Sequence, residues 1–169
     1  PHSCRIIRLR QPGQDWTYGA PILSKHKHVT QHDNDVVLTL RTDASEGDFR
    51  LYEIPDTTTL YAHIGLITQE STSDQDWKHT STWGDNSTKF KLYRTGRNTY
   101  QLKIGNLRDY FHADEKEVIK KIAFTVRTAN GKKVSHPCTA SAFTVAVDEN
   151  DDSKALVEAN LNPVYQGSD

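Results

Sequence analysis

Alternation of hydrophobic and polar residues is the clearest pattern along this chain, and it predicts β-strands. Residues 36–42 (VVLTLRT) read as one strand, and Leu60–Thr68 (LYAHIGLIT) reads as another. Successive side chains of a strand point to opposite faces of its sheet. One face of the second strand then carries Tyr61, His63, Gly65 and Ile67.

Further strands follow in the second half of the chain. Residues 90–94 and 100–107 flank the turn-forming stretch 95–98 (TGRN), which indicates a hairpin. Residues 122–127 and 143–147 have the same pattern and are expected to pair with each other. Short strands separated by turn signals favour an all-β fold, an antiparallel β-sandwich, over an α/β fold.

The two ends of the chain differ from this strand-rich centre. Residues 1–35 contain a predicted edge strand at 4–9 and then a polar, His-rich loop. Residues 148–169 begin with an acidic run and lose the alternation, which predicts a linker or tail. The sandwich is assigned to residues 36–147. Its one helical signal is 114–119, which begins with acidic residues as first helical turns often do.

Composition excludes several classes of partner. The chain has 169 residues, of which 35% are hydrophobic and 25% charged, and this suits one globular domain. Its 21 basic and 22 acidic side chains give a net charge of -1, which offers no electrostatic case for binding nucleic acid or an anionic membrane. No apolar run approaches the roughly 20 residues that a membrane-spanning helix requires.

The start of the chain and its cysteines bear on its cellular location. The sequence opens at Pro1 and contains no Met, so we expect a mature or excised part of a longer protein. Its expected location is secreted or at the cell surface, associated with the outer membrane. Cys4 and Cys138 could form a disulfide, which would suit an oxidising compartment, or could be two separate buried thiols. The sequence leaves both open.

Catalytic motifs are not found. The chain has no Gly-x-Ser-x-Gly, His-Glu-x-x-His or phosphate-binding glycine loop, and no carboxylate pair stands out among the 22 acidic residues. We therefore expect a non-catalytic protein without a cofactor. His26, His28 and His32 could share a metal ion. A solvated loop is the preferred interpretation, since Lys27 lies inside the cluster, and we predict no metal site.

The segment 60–86 carries the most informative chemistry. Trp77 and Trp83 lie among Ser, Thr, Asp and Gln residues, so neither has an obvious core to fill. Sugar rings stack their apolar faces on exposed aromatic side chains, and polar side chains beside them bond the hydroxyls. The segment therefore predicts a carbohydrate site. The alternative is that one of the two tryptophans turns inward and fastens its loop to the sandwich.

A resemblance to a known family begins at this segment. The succession Leu60–Thr68, Asp76-Trp77-Lys78 and Trp83-Gly84-Asp85-Asn86 is similar to starch-binding modules of the family 26 kind, found beside amylases in Bacteroidetes. The similarity continues through 100–111 and 117–131 and covers about residues 36–147. It implies an immunoglobulin-like sandwich and a starch-like ligand.

The resemblance also suggests site residues. In such modules an aromatic or His pair on one strand and a following Trp form the binding surface, which points to Tyr61, His63 and Trp77. His63 departs from the family pattern, because a second aromatic residue is common there. Proximity along the chain adds Lys78, Trp83 and Asn86 as candidates.

The predicted function is therefore a non-catalytic carbohydrate-binding module. Its expected ligand is starch or a related α-glucan, bound by aromatic stacking, and its expected partner is a glycoside hydrolase domain in the same parent protein. The alternative is a structural or protein-interaction sandwich that orients a neighbouring enzyme domain.

Overall fold

The computed structural model describes residues 22–24, 29–43, 48–137 and 140–149. Several sequence-based predictions lie outside these residues: the edge strand at 4–9, the cysteine pair Cys4 and Cys138, and the His26 and His28 part of the metal hypothesis. The tail beyond Glu149 lies outside them as well.

The described chain is mostly β, with almost no helix. Its strands in chain order are β1 (Ile22–Ser24), β2 (Val29–Thr30), β3 (Val36–Arg41), β4 (Leu60–Thr68), β5 (Tyr93–Gly96), β6 (Thr99–Gly105), β7 (Ile119–Thr128), β8 (Val134–Ser135) and β9 (Phe143–Asp148). A short helix, α1 (Leu107–Phe111), separates β6 from β7, and a single 3-10 turn spans Thr88–Phe90. None of the described helices is long and apolar enough to cross a membrane.

The strands form two sheets. One has the order β1-β3-β6-β5, and the other has the order β2-β9-β7-β4, with β8 paired to β7. All pairs are antiparallel except β2 with β9, which is parallel. The predicted antiparallel pairing therefore holds for the other described strand pairs, and the exception involves β2, which precedes the predicted sandwich. The sheets also include β1 and β2, which precede the predicted start of the sandwich at residue 36.

One hydrophobic core joins the two sheets. Residues that alternate along the strands bury their side chains in it, as the burial pattern of β3 shows. Large members of the core are Leu38, Leu102, Ile64, Leu66, Phe124 and Phe143. Burying a side chain of this size contributes about 1.5–3 kcal/mol each. The two-sheet core confirms the coarse prediction of a β-rich, sandwich-like protein.

The predicted strands at 36–42, 60–68, 122–127 and 143–147 are confirmed. The predicted hairpin of 90–94 with 100–107 is found with shifted bounds, since β5 begins at Tyr93 and β6 ends at Gly105. The predicted helix at 114–119 is wrong. There the Glu117 carboxylate accepts a hydrogen bond from the Asp114 N–H at 3.0 Å, which closes a turn, and β7 begins at Ile119. The helix forms instead at α1. Asn106 caps it by accepting from the Asp109 N–H at 2.9 Å, and three buried side chains (Leu107, Tyr110 and Phe111) hold it on the core.

The buried Arg108 links α1 to the residue after β2 and to the turn before β7. Arg108 donates to the Gln31 carbonyl and side-chain oxygens, both at 3.0 Å, and to the carbonyls of Asp114 and Glu117. Gln31 in turn donates to the Ile119 and Asp148 carbonyls. These bonds satisfy a buried charge with neutral acceptors and fix the end of β2 beside β7 and β9.

Candidate functional site

The loop that follows β4 runs back along the free edge of that strand. We call residues 69–92 the edge loop. Lys78 and Leu66 exchange two backbone hydrogen bonds, of 2.7 and 2.8 Å, and the Ser81 N–H donates to the Ile64 carbonyl at 2.8 Å. The Leu92 N–H donates to the Leu60 carbonyl at 2.9 Å. The edge loop therefore supplies hydrogen-bond partners for backbone groups along the otherwise open edge of β4.

The outward face of β4 and β7 lies against this loop. Tyr61, His63 and Gly65 stand on that face and pair across the ladder with Arg127, Thr125 and Ala123. β7 is buried on both faces along most of its length. A strand covered on only one side alternates between buried and exposed residues, so this burial shows that the outward face is covered.

Four aromatic side chains meet on this face, and we call Tyr61, His63, Trp77 and Trp83 the aromatic cluster. The His63 ring lies 5.5 Å from the Trp77 ring, tilted by 32°, and 4.9 Å from the Trp83 ring in an edge-to-face arrangement. Such pairs stabilise by about 0.5–1.5 kcal/mol beyond their buried area. Tyr61 joins the cluster through Arg127, whose guanidinium carbon lies 5.4 Å from its ring centre.

Trp77 packs directly on the sheet. A Cβ atom built on Gly65 would lie 3.1 Å from both Cβ and Cε3 of Trp77, so only glycine permits this approach. The indole N–H of Trp77 donates to the Asp74 carbonyl at 3.1 Å. Trp77 is half-buried and its indole N–H is hydrogen-bonded. Its packing on Gly65 holds the edge loop against β4. This matches the alternative in which one tryptophan turns inward.

Trp83 is the exposed member of the aromatic cluster. Its side chain is 52% exposed, although it lies close to Gly131 and over the guanidinium of Arg127 at 5.6 Å. The positive φ of 87° at Gly84 bends the chain just after it. One part of the indole is thus anchored, and the rest is open to solvent.

Arg127 supports the cluster from beneath. It is 1% exposed, and it donates to the Asn86 side chain at 2.8 Å and to the Asp85 carbonyl at 2.7 Å. Burial lowers the pKa of this guanidinium below its usual range. Its bonding partners are neutral oxygens, and its Nε makes no hydrogen bond in the described part of the chain.

Asn86 and Lys78 differ from the ring residues in what they contact. The Asn86 amide accepts from Arg127 and donates to the Ala129 carbonyl at 3.2 Å, so it links the edge loop to the end of β7. Lys78 pairs with Leu66 through its backbone, and its ammonium lies 3.3 Å from the Asp76 carboxylate. Among the described contacts of the rings, none involves Lys78.

His63 is held in its neutral form. Its Nδ1 lies 3.3 Å from the Ser81 hydroxyl, which also accepts from the Ile64 N–H. Burial, and then the nearby charge of Arg127, lower the pKa of His63 from its ordinary value of 6.5. A neutral imidazole thus lies between the two indoles and adds no charge to the cluster.

Sequence reasoning missed three residues of this site. Arg127 is the charged residue of the stretch 122–128 (IAFTVRT) in β7, and strand pairing places it opposite Tyr61. Gly65 interrupts the outward face of β4, which is a signal of close approach. Ser81 is one of several hydroxyl residues in the edge loop, and nothing in its sequence context singles it out.

Other exposed aromatic side chains of the described residues lie elsewhere. Tyr93, 41% exposed, stands on β5 of the other sheet, with the ammonium groups of Lys91 and Lys103 within 5.2 and 5.7 Å of its ring centre. Tyr52 contacts Phe49 edge-on. The described residues contain no group of three or more His, Cys, Asp or Glu side chains arranged to hold a metal ion.

Comparisons with known proteins do not assign the chain to a family. No protein-family model matches the chain, and no curated protein matches it.

Proposed function

We propose that this chain is a non-catalytic carbohydrate-binding module whose ligand, starch or a related α-glucan, stacks on the aromatic cluster. The observation that carries the proposal is Trp83, an indole that is 52% exposed yet anchored by Arg127 and His63. A rigid, exposed ring loses little conformational entropy when a sugar stacks on it.

Polar groups of β4 and of the edge loop would supply the polar fringe that such a ligand needs. Tyr61 is partly exposed beside Arg127, and the Lys78 ammonium and Asn86 amide lie on the same loop. Hydroxyl groups of a glucan can donate to and accept from groups of this kind. The site is shallow, and we expect the affinity to be modest for that reason.

We also propose that the two sheets form an immunoglobulin-like sandwich. The order β1-β3-β6-β5 corresponds to strands A-B-E-D of the constant type, and β4-β7-β9 corresponds to C-F-G. The chain departs from antibody domains in having no cysteine on β3 or β7. Under this proposal the aromatic cluster lies on the outer face of the sheet that contains C and F.

A secreted or cell-surface location and a glycoside hydrolase domain in the same parent protein belong to the same proposal. A modest-affinity module is useful when it keeps an attached enzyme close to an insoluble polymer, because linkage raises the effective concentration of the second binding partner. The expected partners therefore remain a polysaccharide and an attached enzyme domain.

The test is affinity gel electrophoresis against amylopectin, pullulan, dextran and xylan, with a polymer-free gel as reference. We expect retardation by amylopectin, and at least ten-fold weaker retention after Trp83→Ala. Tyr93→Ala is the matched control, because Tyr93 is also an exposed ring but stands on the other sheet. Equal mobility of the wild-type protein in all five gels would contradict the proposal.

A second candidate function has one observation in its favour. Trp77 packs on Gly65 and is hydrogen-bonded, so part of the aromatic cluster has a structural role without any ligand. This favours a sandwich module that orients a neighbouring domain. That function predicts no polymer retention and no effect of Trp83→Ala on any sugar.

A further inference from the structure

A cleft lies between the edge loop and the C-terminal end of α1, and none of the four rings of the aromatic cluster lines it. It encloses about 200 Å³. Pockets for drug-sized ligands run from about 300 to 1,000 Å³, whereas one water occupies about 30 Å³ of liquid. The cleft therefore suits one small ring and not a longer chain.

The lining combines an apolar base with hydroxyl groups. Ile64, Phe90 and Phe111 are buried members of the core that also border the cleft. Three consecutive hydroxyl residues of the edge loop, Thr80, Ser81 and Thr82, complete its wall. Apolar surface beside hydroxyl groups matches the C–H faces and hydroxyls of a sugar ring.

One carboxylate and one ammonium group line the same cleft. Asp85 accepts a hydrogen bond from the Ser87 N–H at 2.9 Å, and this bond, with other contacts to Ser87, lowers the pKa of the carboxyl, which stays ionised at neutral pH. The Lys89 ammonium lies 4.7 Å from the centre of the Tyr110 ring. Within the described residues no carboxylate is within ion-pairing distance of Lys89. Two opposite charges favour a neutral ligand over an anion.

Hydrogen bonds within the protein hold the walls of the cleft together. The Tyr110 hydroxyl donates to the Lys89 carbonyl at 2.8 Å, which joins α1 to the edge loop. His79, on the rim, lies 2.8 and 2.9 Å from the two carboxylate oxygens of Glu117. His112 borders the cleft from the end of α1, and its ring makes no hydrogen bond with the described residues. A pre-formed cleft costs less ordering entropy when a ligand enters.

The cleft and the aromatic cluster share one wall. Ser81 borders the cleft, and its hydroxyl lies 3.3 Å from Nδ1 of His63. Asp85 also borders the cleft, and its carbonyl accepts from Arg127, which lies beneath Trp83. A glycan stacked on Trp83 is therefore close to the cleft.

We propose that this cleft binds a single neutral sugar residue and forms a second subsite beside the aromatic cluster. The proposal rests on the proposed function, because the chain that stacks on Trp83 is the one that would place a terminal or branch residue in the cleft. The hydroxyls of that residue would donate to Asp85 and accept from Lys89.

The experiment titrates the protein with methyl α-glucoside up to about 100 mM while amide and indole N–H signals are followed by NMR. We expect shifts at the amides of Thr82, Lys89 and His112. Lys89→Met and Asp85→Asn should each weaken this binding at least ten-fold, with unchanged thermal melts. Tyr93→Ala, on the other sheet, should leave the binding of methyl α-glucoside within about two-fold of the wild type.

The other outcomes separate this inference from the proposed function. Shifts confined to the Trp83 indole would overturn the cleft subsite and leave glucan binding intact. Shifts at the cleft with inorganic phosphate but not with the glucoside would also overturn it, in favour of an anion site. Cleft shifts that the two cleft variants abolish, in a protein that no polymer retards, would support the subsite and contradict the proposed glucan function.

Discussion

Arg127 is the largest fully buried side chain of the described residues, and its surroundings explain how a charge is tolerated there. Arginine is almost never fully buried unless it is paired. Here four neutral oxygens, from Asp85, Asn86, Thr128 and Ala129, accept its hydrogen bonds. The rings of Tyr61 and Trp83 supply two further contacts with the guanidinium. The result is a cation whose main effect is to position the residues around it.

Gly65 carries the most specific prediction at the scale of single residues. A methyl group there would lie 2.9 Å from the Thr80 hydroxyl and 3.1 Å from two Trp77 atoms. We expect Gly65→Ala to lower the free energy of unfolding by about 1–3 kcal/mol, since the edge loop must move away. Urea denaturation measures this.

The matched control for Gly65 is Gly96→Ala. Gly96 also lies in a strand, but the nearest atom to an added methyl group is 3.9 Å away. We expect a change of less than about 1 kcal/mol there. Equal effects of the two substitutions would contradict the packing argument.

At the scale of elements, the edge loop determines what the outer face of β4 and β7 can do. The loop pairs with the edge of β4 through Leu66 and Ile64. It also covers Gly65 with Trp77 while leaving Trp83 exposed. The two tryptophans have similar sequence surroundings, yet Trp77 packs on the sheet and Trp83 remains accessible to solvent.

This difference predicts opposite results for the two alanine variants. We expect Trp77→Ala to lower the free energy of unfolding by about 2–4 kcal/mol, since a half-buried indole and its packing on the sheet are lost. Trp83→Ala should change it by about 1 kcal/mol or less, since most of that ring faces solvent. Thermal and urea unfolding of both variants distinguish them. A more stable Trp77→Ala than Trp83→Ala would show that the roles are reversed.

At the scale of the whole molecule, stability should depend on the protonation of His63. Its pKa is lowered in the folded state by burial and by Arg127, the charged group that faces it from β7, while the edge loop presents the uncharged Trp77, Ser81 and Trp83. The unfolded chain therefore binds a proton more readily. The stabilisation is fully present above about pH 6.5 and is lost as the pH falls below it.

The measurement compares wild-type protein with His63→Gln in urea at pH 7.5 and pH 5.5. We expect the wild-type protein to lose more stability than the variant over this interval. Asp76 and Asp85 do not interfere, since hydrogen bonds to backbone N–H groups lower their pKa values from the ordinary 3.8, well below the interval. Identical losses in both proteins would contradict the shift assigned to His63.

The sequence by itself determined most of the strands and the shared face of Tyr61 and His63. Alternation predicted β3 and β4 to within a residue, since a sheet with one buried face requires a period of two. The same two-residue period placed Tyr61 and His63 on one face of β4. The helix at 114–119 was mispredicted because local acidic residues suit a turn as well as a first helical turn, and only burial of Tyr110 and Phe111 selected α1.

Only the tertiary structure decided which of the candidate site residues are exposed and which are packed against the sheet or hydrogen-bonded to it. Trp77, Trp83 and Asn86 share a polar loop, and their separate surroundings come from β4 and β7, which are distant in sequence. Burial of Arg127 depends on both sides of the sheet being covered, and no local pattern encodes that. The cleft between the edge loop and α1 likewise exists only because the core brings Phe90 and Phe111 together, a long-range packing effect that sequence periodicity does not report.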